Sequence, residues 1–356
     1  RRRARSINVL DAGIIFRVLT TADIQALIAD TEATILELIA EAEDAATRPM
    51  YEQMRYHLGL DGQDGVSGKR LRPLLGLLAY QSLTGSYEAA LPGAAAVELG
   101  HNFSLVHDDI EDHGAERRHR AALWTITGVP QAINTGDALF VLSRMALHRL
   151  TELGFSDAKV LALMRLYDQT CLALCEGQFI DIWTSEGHGR QSVELYFDMI
   201  GRKTATLIAG SVQAGAMLAT DDAAVIEAYR AFGWALGIAF QLNDDLLGIW
   251  GEETATGKAP ADLSEHKRTL PTLYALEHGG PEDRERLAEL LDLESPSVES
   301  VDEARRIIER SGAQDYTREQ ARWYRDEAVR QLALTGAVDA VARERLEQII
   351  VTAISA

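Results

Sequence analysis

The sequence has few cysteines, few prolines and no long apolar run. Its 356 residues include 2 cysteines and 8 prolines. No uninterrupted run of about 18 apolar residues occurs, which is the length that a membrane-spanning helix needs, so we predict no membrane span. The two thiols, Cys171 and Cys175, are spaced four apart in an apolar helical pattern. This favours reduced core thiols over a metal or redox site, and a cytoplasmic location.

Positive charge is also scarce, since the formal net charge is -19. Nucleic acid and anionic membrane surfaces do not attract an acidic protein, so we predict neither as a partner. The opening residues R-R-R-A-R-S are basic, but the apolar region of a secretion signal does not follow them. We expect residues 1–20 to be an N-terminal extension, either disordered or an expression remnant, and residues 21–356 to form one domain.

Helical patterns fill most of the chain, and alternating β-branched residues are rare. No proline occurs from Gln131 to Ala259, where apolar residues recur at spacings of three and four. Residues 21–46 predict a first amphipathic helix. Short polar or glycine-containing breaks are predicted near 153–157, 185–191 and 220–223. The sequence therefore predicts an all-α protein that is a single large bundle of helices.

Four acids lie within five residues, directly after an apolar helical run: Asp108, Asp109, Glu111 and Asp112. On a helix, Asp108 and Asp112 project from one face with their Cβ atoms about 5–6 Å apart. Such a pair is stable on a solvated face or with a divalent cation between the carboxylates. Oxygen ligands alone suit Mg²⁺, which takes one or two carboxylates and substrate phosphates. Taken alone, the motif also fits a solvated acidic helix end.

Two groups of cations accompany the acidic cluster. Lys69, Arg70 and Arg72 stand at a predicted helix start, and Arg117 and Arg118 follow the acids directly. Backbone donors, the helix dipole and basic side chains together bind anions at such a position. A basic surface helix start is an equal alternative for the first group. Beside the acids, however, the cations suggest a ligand with both metal-bound and arginine-bound oxygens, as in a diphosphate.

A second acidic pair, Asp244 and Asp245, lies between strongly apolar neighbours. A wholly solvent-facing pair is unfavourable there. Lys203 stands in another apolar helical stretch, and a buried lysine needs a partner. Two acidic clusters and scattered cations in an apolar helical chain point to a metal-bridged diphosphate beside an apolar cavity.

These motifs resemble those of the trans-isoprenyl diphosphate synthases, the polyprenyl synthetase family, over nearly all of residues 50–350. The matching motifs are G-K-R-L-R-P (68–73), H-x-x-x-L-V-H-D-D-I-x-D (101–112), R-R (117–118), I-N-x-G-D-A-L-F (133–140), G-Q-x-x-D (177–181), K-T-A-x-L (203–207), F-Q-x-x-D-D-L-L (240–247), and T-G-K with D-L-x-x-x-K-x-T-L-P (256–271). The resemblance implies a helical bundle of the isoprenoid synthase type with a central apolar cavity, and a homodimer.

The resemblance also implies a role for each matching residue. Asp108 and Asp112 would ligate two Mg²⁺ ions with Asp109 supporting them, and Asp244 would hold a third Mg²⁺. The residues implied for the allylic diphosphate are Lys203, Lys258, Arg117 and Lys267. Those implied for isopentenyl diphosphate are Lys69, Arg70, His101 and Arg118. Thr204 and Gln241 would be polar groups facing the reacting carbons.

The implied activity joins isopentenyl diphosphate head to tail to dimethylallyl, geranyl or farnesyl diphosphate, through Mg²⁺-assisted ionisation to an allylic cation. Geranylgeranyl diphosphate is the product favoured by the resemblance, and farnesyl or longer polyprenyl diphosphates are alternatives. A terpene cyclase also ionises a diphosphate but has no use for an isopentenyl diphosphate site. A non-catalytic synthase subunit is the remaining alternative.

Two features bear on these choices. Gly248 stands where many members have a third aspartate in the second acidic motif, so Mg²⁺ binding is expected to persist in weaker form. Phe103 and Ser104, five and four residues before Asp108, resemble the cavity floor of enzymes that stop at twenty carbons. Gly100 and Ala96 lie on the face of Phe103, so we expect only small side chains beneath it.

Overall fold

The structure is a computed structural model that describes residues 21–62, 68–189, 191–251, 262–265, 267–293 and 295–353. The predicted extension of residues 1–20 lies outside this part of the chain. The helices are α1 Ala22–Ala42, α2 Arg48–Leu58, α3 Leu71–Thr84, α4 Leu91–Glu111, α5 Leu123–Thr127, α6 Val129–Glu152, α7 Asp157–Ser185, α8 Val193–Ile200, α9 Thr206–Ala219, α10 Ala223–Trp250, α11 Leu270–His278, α12 Pro281–Leu291, α13 Val298–Arg310, α14 Ala313–Ala333 and α15 Ala340–Ala353. A 3₁₀ turn, Glu88–Ala90, precedes α4, and a π-helical turn, Gly201–Ala205, joins α8 to α9.

The all-α prediction is confirmed, and in the described residues the extended elements are β1 Glu116–Arg117 and β2 Arg120–Ala121, an antiparallel pair. The three predicted breaks coincide with the ends of α6, α7 and α9. Helix α1 ends at Ala42, four residues before the predicted end. The reason is local, because the Asp44 carboxylate accepts the backbone N–H groups of Ala46 and Thr47 at 2.7 and 3.2 Å. That turn competes with the helix.

The bundle packs around α4, α9 and α10. Helix α4 lies mainly against α6, α9 against α3 and α10, and α10 against α14. Glycines allow the closest crossing, since a Cβ added at Gly215 of α9 would be 2.2 Å from the carbonyl oxygen of Gly76 of α3. The backbones of these two helices therefore touch directly, and the interior between them is close-packed.

Helix α10 is long and apolar enough to cross a membrane by length and composition alone, although half of its most apolar window is buried inside the protein. A buried core helix passes the same test. Here α10 packs between α9 and α14 and carries the second acidic pair.

A small apolar cavity of about 20 Å³ lies between α4, α6, α7 and α9. This volume holds at most about one water molecule. Its lining includes Gly93, Val97, Leu163, Tyr167, Leu207 and Gly210.

Candidate active site

In the first acidic pair, the two aspartates have different environments. Asp109 is buried and accepts hydrogen bonds from Arg117 through Nε (2.9 Å) and a terminal nitrogen (2.5 Å). Burial raises the pKa of Asp109, although Arg117 opposes the shift. Asp108 is only partly buried, and the nearest Arg117 nitrogen is 3.7 Å from its carboxylate. Asp109 therefore fixes the end of α4, while Asp108 faces the site.

The second acidic pair repeats this division. Asp245 is 1% exposed. It accepts hydrogen bonds from the Tyr196 hydroxyl (2.5 Å), the Gln241 amide (3.1 Å) and the Leu270 N–H (3.2 Å). Burial raises the pKa of Asp245 to about 7, and these three hydrogen bonds oppose the shift. Asp244, in contrast, is exposed at the surface of α10.

Lys203 connects the acidic groups from the π-helical turn. Its ammonium is 2.6 Å from Asp181 and 3.7 Å from Asp108. Burial alone would lower the pKa of Lys203, but these carboxylates and Asp112 raise it above its ordinary value. A Cβ at Gly177 of α7 would be 2.4 Å from the backbone nitrogen of Lys203. Gly177 therefore leaves the space that the widened turn occupies.

The same turn joins the first acidic element to the second. Thr204, next to Lys203, donates to the Gln241 side chain at 2.9 Å. Gln241 lies one turn before Asp244 and Asp245 on α10. One turn of chain therefore contacts Asp108 on α4 and Gln241 on α10, and Asp244 follows Gln241 by three residues on the same helix.

The predicted isopentenyl diphosphate site requires a correction. Arg70 is 3% exposed, and its guanidinium binds Glu32 (2.9 Å), Glu98 (2.6 Å) and the Leu58 carbonyl (2.6 Å). This buried side chain is not placed to bind a ligand directly, so the direct role predicted for Arg70 was wrong. Arg70 precedes α3 with a left-handed φ of 47°, and Glu98, which the prediction did not include, is its buried partner.

Arg72, not Arg70, stands beside His101. A terminal nitrogen of Arg72 is 3.0 Å from His101 Nε2. Arg72 Nε is buried and has no hydrogen-bond partner. Burial and then the charge of Arg72 lower the pKa of His101 well below its usual value, so a neutral ring accepts from Arg72. The spacing of Arg72, three residues after Lys69, was the available signal for this residue.

Arg118 completes this region. It donates to the His57 carbonyl and the Asn102 side chain, both at 3.2 Å. A Cβ at Gly68 would be 3.0 Å from its guanidinium carbon, so Gly68 allows Arg118 to lie on the backbone beside Lys69. Asn102 in turn donates to Glu98 at 2.8 Å. Lys69 is exposed at the same edge.

Two predicted lysines follow the second acidic motif. Lys258 lies outside the described residues. Burial would lower the pKa of Lys267, whereas Glu265, Asp262 and Asp112 raise it. The Lys267 ammonium is 2.8 Å from Glu265 and 3.9 Å from Asp262, and the Asp262 carboxylate lies beside Gly248, at the end of the second acidic motif.

Gly248 has a neighbour that explains its small size. A Cβ at this position would be 1.8 Å from a carboxylate oxygen of Asp262. The backbone N–H of Asp262 also donates to the Gly248 carbonyl at 3.3 Å. The Asp262 carboxylate therefore occupies the space beside α10 where a side chain at position 248 would begin.

The donors suit Mg²⁺. Within the described ranges, no three His, Cys, Asp or Glu side chains are grouped to hold a metal ion unaided. Mg²⁺ needs fewer protein ligands, because phosphates and water complete its coordination. The potential ligand atoms of Asp108, Asp112 and Asp244 are all oxygens, and one buried carboxylate oxygen of Asp109 has no hydrogen-bond partner. The residues present therefore fit Mg²⁺ that is held together with a diphosphate.

Known proteins are similar to this chain in sequence and in fold. The family profile described as Polyprenyl synthetase matches residues 62–308. The chain belongs to the polyprenyl synthetase family. It is 35% identical over 318 residues to a (2E,6E)-farnesyl diphosphate synthase from Mycobacterium tuberculosis, covering 87% of this chain and 86% of the relative.

Solved structures of polyprenyl synthetases have the same fold. A geranylgeranyl pyrophosphate synthetase from Pyrococcus horikoshii superposes with a TM-score of 0.84 at 30% identity, covering 96% of this chain and 98% of the other. A geranylgeranyl pyrophosphate synthase from Corynebacterium glutamicum, complexed with isoprenyl diphosphate and magnesium, has a TM-score of 0.79 at 25% identity, covering 91% and 97%. The relatives therefore include makers of two product lengths.

The predicted floor residues of this polyprenyl synthetase lie on α4, below the acids. Phe103 is buried, with its ring centroid 4.9 Å from that of Phe140 of α6 and 6.0 Å from that of His107. Ser104 donates to the His101 carbonyl at 2.8 Å. Phe103 is therefore the bulky member of the predicted pair, and a second ring supports it from α6.

Proposed function

We propose that the chain condenses isopentenyl diphosphate with an allylic diphosphate to make a trans-prenyl diphosphate. The single observation that carries the proposal is the π-helical turn, because Lys203 reaches Asp108 while the adjacent Thr204 reaches Gln241 of α10. One diphosphate beside this turn would contact both acidic elements.

The first group of residues acts on the allylic diphosphate. Lys203 and Lys267 neutralise charge on the allylic diphosphate, and Arg117 fixes Asp109 beside it. Fixed cations aimed at a leaving diphosphate stabilise the charge that develops when the allylic C–O bond breaks. Thr204 and Gln241 hold each other at the level of the reacting carbons.

Arg72, Lys69 and Arg118 bind the diphosphate of isopentenyl diphosphate, and His101 orients Arg72. The neutral His101 ring accepts a hydrogen bond from one terminal nitrogen of Arg72 and so holds the guanidinium in place. The unpartnered Nε of Arg72 is then a donor for a phosphate oxygen.

Asp108, Asp112 and Asp244 would hold three Mg²⁺ ions, which would supply electrophilic assistance to the leaving diphosphate. The two buried aspartates, Asp109 and Asp245, keep their helix ends in position for this purpose. Apolar helix faces below the acids keep water from the allylic cation.

Geranylgeranyl diphosphate is the proposed product, since Phe103, five residues before Asp108 and buried against Phe140, stands at the position predicted for the cavity floor. We also propose that the chain forms a homodimer in the cytoplasm and binds neither nucleic acid nor a membrane. The farnesyl and geranylgeranyl synthases among the relatives support the reaction class and leave the product length to experiment.

One assay tests the reaction. Purified protein is incubated with Mg²⁺, labelled isopentenyl diphosphate and each allylic diphosphate in turn, and product length is read by chromatography. Incorporation of isopentenyl carbon is expected, and Asp108→Asn should reduce it by at least about a hundredfold, as loss of one strong electrostatic group does. Hydrocarbon formed from an allylic substrate alone would indicate a cyclase, and inactivity without a second chain would indicate a non-catalytic subunit.

A further inference from the structure

A tyrosine from α7 lies directly beneath Phe103. A Cβ added at Gly100 would be 2.0 Å from the Tyr167 hydroxyl oxygen and 2.9 Å from its ring carbon Cζ. Gly100 is one helical turn before Phe103, roughly 5 Å farther from the acids. The expectation that only small side chains lie beneath Phe103 was therefore wrong, because a neighbouring helix supplies a ring that the sequence of α4 does not reveal.

Hydrogen bonds hold this ring in place. Tyr167 is 6% exposed, and its hydroxyl donates to Ser143 Oγ of α6 at 2.6 Å. Ser143 donates in turn to the carbonyl of Phe140 at 2.5 Å. The ring of Phe140 contacts that of Phe103. The rings of Phe103 and Tyr167 are thus two successive layers supported by the same segment of α6.

The small apolar cavity lies on the far side of Tyr167. Tyr167 lines it, together with Val97 and Gly93, which are three and seven residues before Gly100 on α4. The Tyr167 ring therefore separates this cavity from the space beneath Phe103. Leu163 and Leu207 line the cavity as well, so a prenyl chain that entered it would meet apolar surface.

We propose that Tyr167 is a second floor of the prenyl-chain cavity and that Phe103 and Tyr167 together set the maximum product length. The inference rests on the proposed synthase activity. With Phe103 removed, the growing chain gains one turn of depth and stops against Tyr167. With both rings removed, the chain continues along Val97 toward Gly93.

The variants follow from this order. Phe103→Ala should lengthen the product by one isoprene unit, because one helical turn of roughly 5 Å is about the length of such a unit. Tyr167→Ala alone should leave the length unchanged, since Phe103 still closes the cavity above it. The double variant should give products at least one unit longer than Phe103→Ala does, a strongly non-additive result.

Chromatography of the products from the four proteins, with isopentenyl diphosphate in excess, decides the proposal. Equal product distributions for Phe103→Ala and the double variant would overturn it. Lengthening by Tyr167→Ala alone would overturn the order of the two layers. Tyr167→Phe is the matched control, because it keeps the ring and removes only the hydroxyl that bonds to Ser143 and to the Ala96 carbonyl, and its product should match that of the parent chain. Tyr167→Leu repeats the test if the alanine variant does not fold.

Binding separates this inference from the synthase activity itself. Unreactive thiolo analogues of prenyl diphosphates of increasing length are titrated calorimetrically into each protein. The double variant should bind the analogue one unit longer than the limit of Phe103→Ala at least tenfold more tightly than Phe103→Ala does. If the parent chain incorporates no isopentenyl carbon, the synthase proposal fails, while this titration still supports or overturns the role of Tyr167.

Discussion

Arg70 and Arg72 are two residues apart at the start of α3 and have opposite surroundings. Arg70 is enclosed by Glu32 and Glu98, whereas Arg72 faces His101 and keeps a donor without a partner. In the sequence the two cations are equivalent. The difference is associated with the left-handed backbone of Arg70 and with Glu98, which is 28 residues away in the sequence. A local sequence pattern does not reveal either feature.

The two arginines should respond differently to replacement. Arg72→Ala should raise KM for isopentenyl diphosphate about tenfold or more, because a charged hydrogen bond contributes about 1.5–3 kcal/mol. Arg70→Ala should lower the free energy of unfolding by about 3–5 kcal/mol, because it leaves the buried Glu98 carboxylate without its ion-pair partner. Steady-state kinetics and thermal denaturation of both variants provide the measurement. Normal stability of Arg70→Ala together with a raised KM would restore its predicted direct role.

His57 gives a dependence of stability on pH. Burial, with Arg118 and Arg117, lowers its pKa to about 3, so the folded state holds a neutral ring while the unfolded state titrates near 6.5. Between these values the unfolded state binds more protons, and stability is lost as pH falls. The expected slope approaches about 1.4 kcal/mol per pH unit for this residue.

Chemical denaturation of His57→Gln at several pH values between about 4 and 6 tests this expectation, because that range lies between the folded and unfolded pKa values of His57. The variant should lose stability less steeply with acid than the parent chain. His188→Gln is the control, because His188 is exposed, and it should keep the parent slope. Equal slopes for all three proteins would contradict the assignment.

At the scale of elements, the π-helical turn is the piece on which the site depends. Gly177 of α7 is in contact with its backbone, and a Cβ at Gly237 of α10 would be 2.5 Å from the Cα of Ala205. The turn is therefore held between two helices that each carry a glycine at the contact. This arrangement fixes where Lys203 and Thr204 point.

Gly177→Ala should displace this turn. The added methyl meets backbone and not a movable side chain, so we expect stability to fall by about 1–3 kcal/mol. The turnover number should fall further than stability alone explains, because Lys203 moves away from Asp108. Gly93→Ala is the matched control in α4, where the Cβ would make an ordinary 3.6 Å contact with Leu218. Comparable activities of the two variants would argue against the role of the turn.

Much of the element structure could be predicted, because helix ends have local causes. Ser156 and Asp222 accept N–H groups at the starts of α7 and α10, close to two predicted breaks. The acidic clusters could be found for the same reason, since their spacing lies within one helix. The Tyr167 layer could not be found in this way, because it depends on how α7 packs on α4.

At the scale of the whole molecule, α6 and α7 carry exposed apolar side chains. Those of α6 are Val129, Ile133, Val141 and Met145, and those of α7 are Leu161, Leu172, Phe179 and Trp183. On α6 they recur at spacings of four and eight, which is one helix face. A row of exposed apolar side chains along one helix face is typical of a protein–protein interface.

We expect the predicted homodimer to use this face. Val141→Glu should convert the dimer to monomer, because a charge buried in an apolar interface without a partner is strongly unfavourable. Size-exclusion chromatography with light scattering measures the mass. Val338→Glu, also at an exposed valine but in the connection before α15, should remain dimeric. A monomeric parent chain, or a dimeric Val141→Glu variant, would refute this assignment of the face.

The contact between Gly248 and Asp262 has a consequence for substitutions that are chosen by comparison with related proteins. Writing the customary aspartate back into position 248 would bring a second carboxylate into a space that Asp262 already fills. The aspartate at position 248 would then displace Asp262, whose carbonyl accepts the backbone N–H of Lys267. In this protein, Gly248→Asp should therefore be destabilising. It should be tolerated only when Asp262 is replaced at the same time by a residue with a shorter side chain.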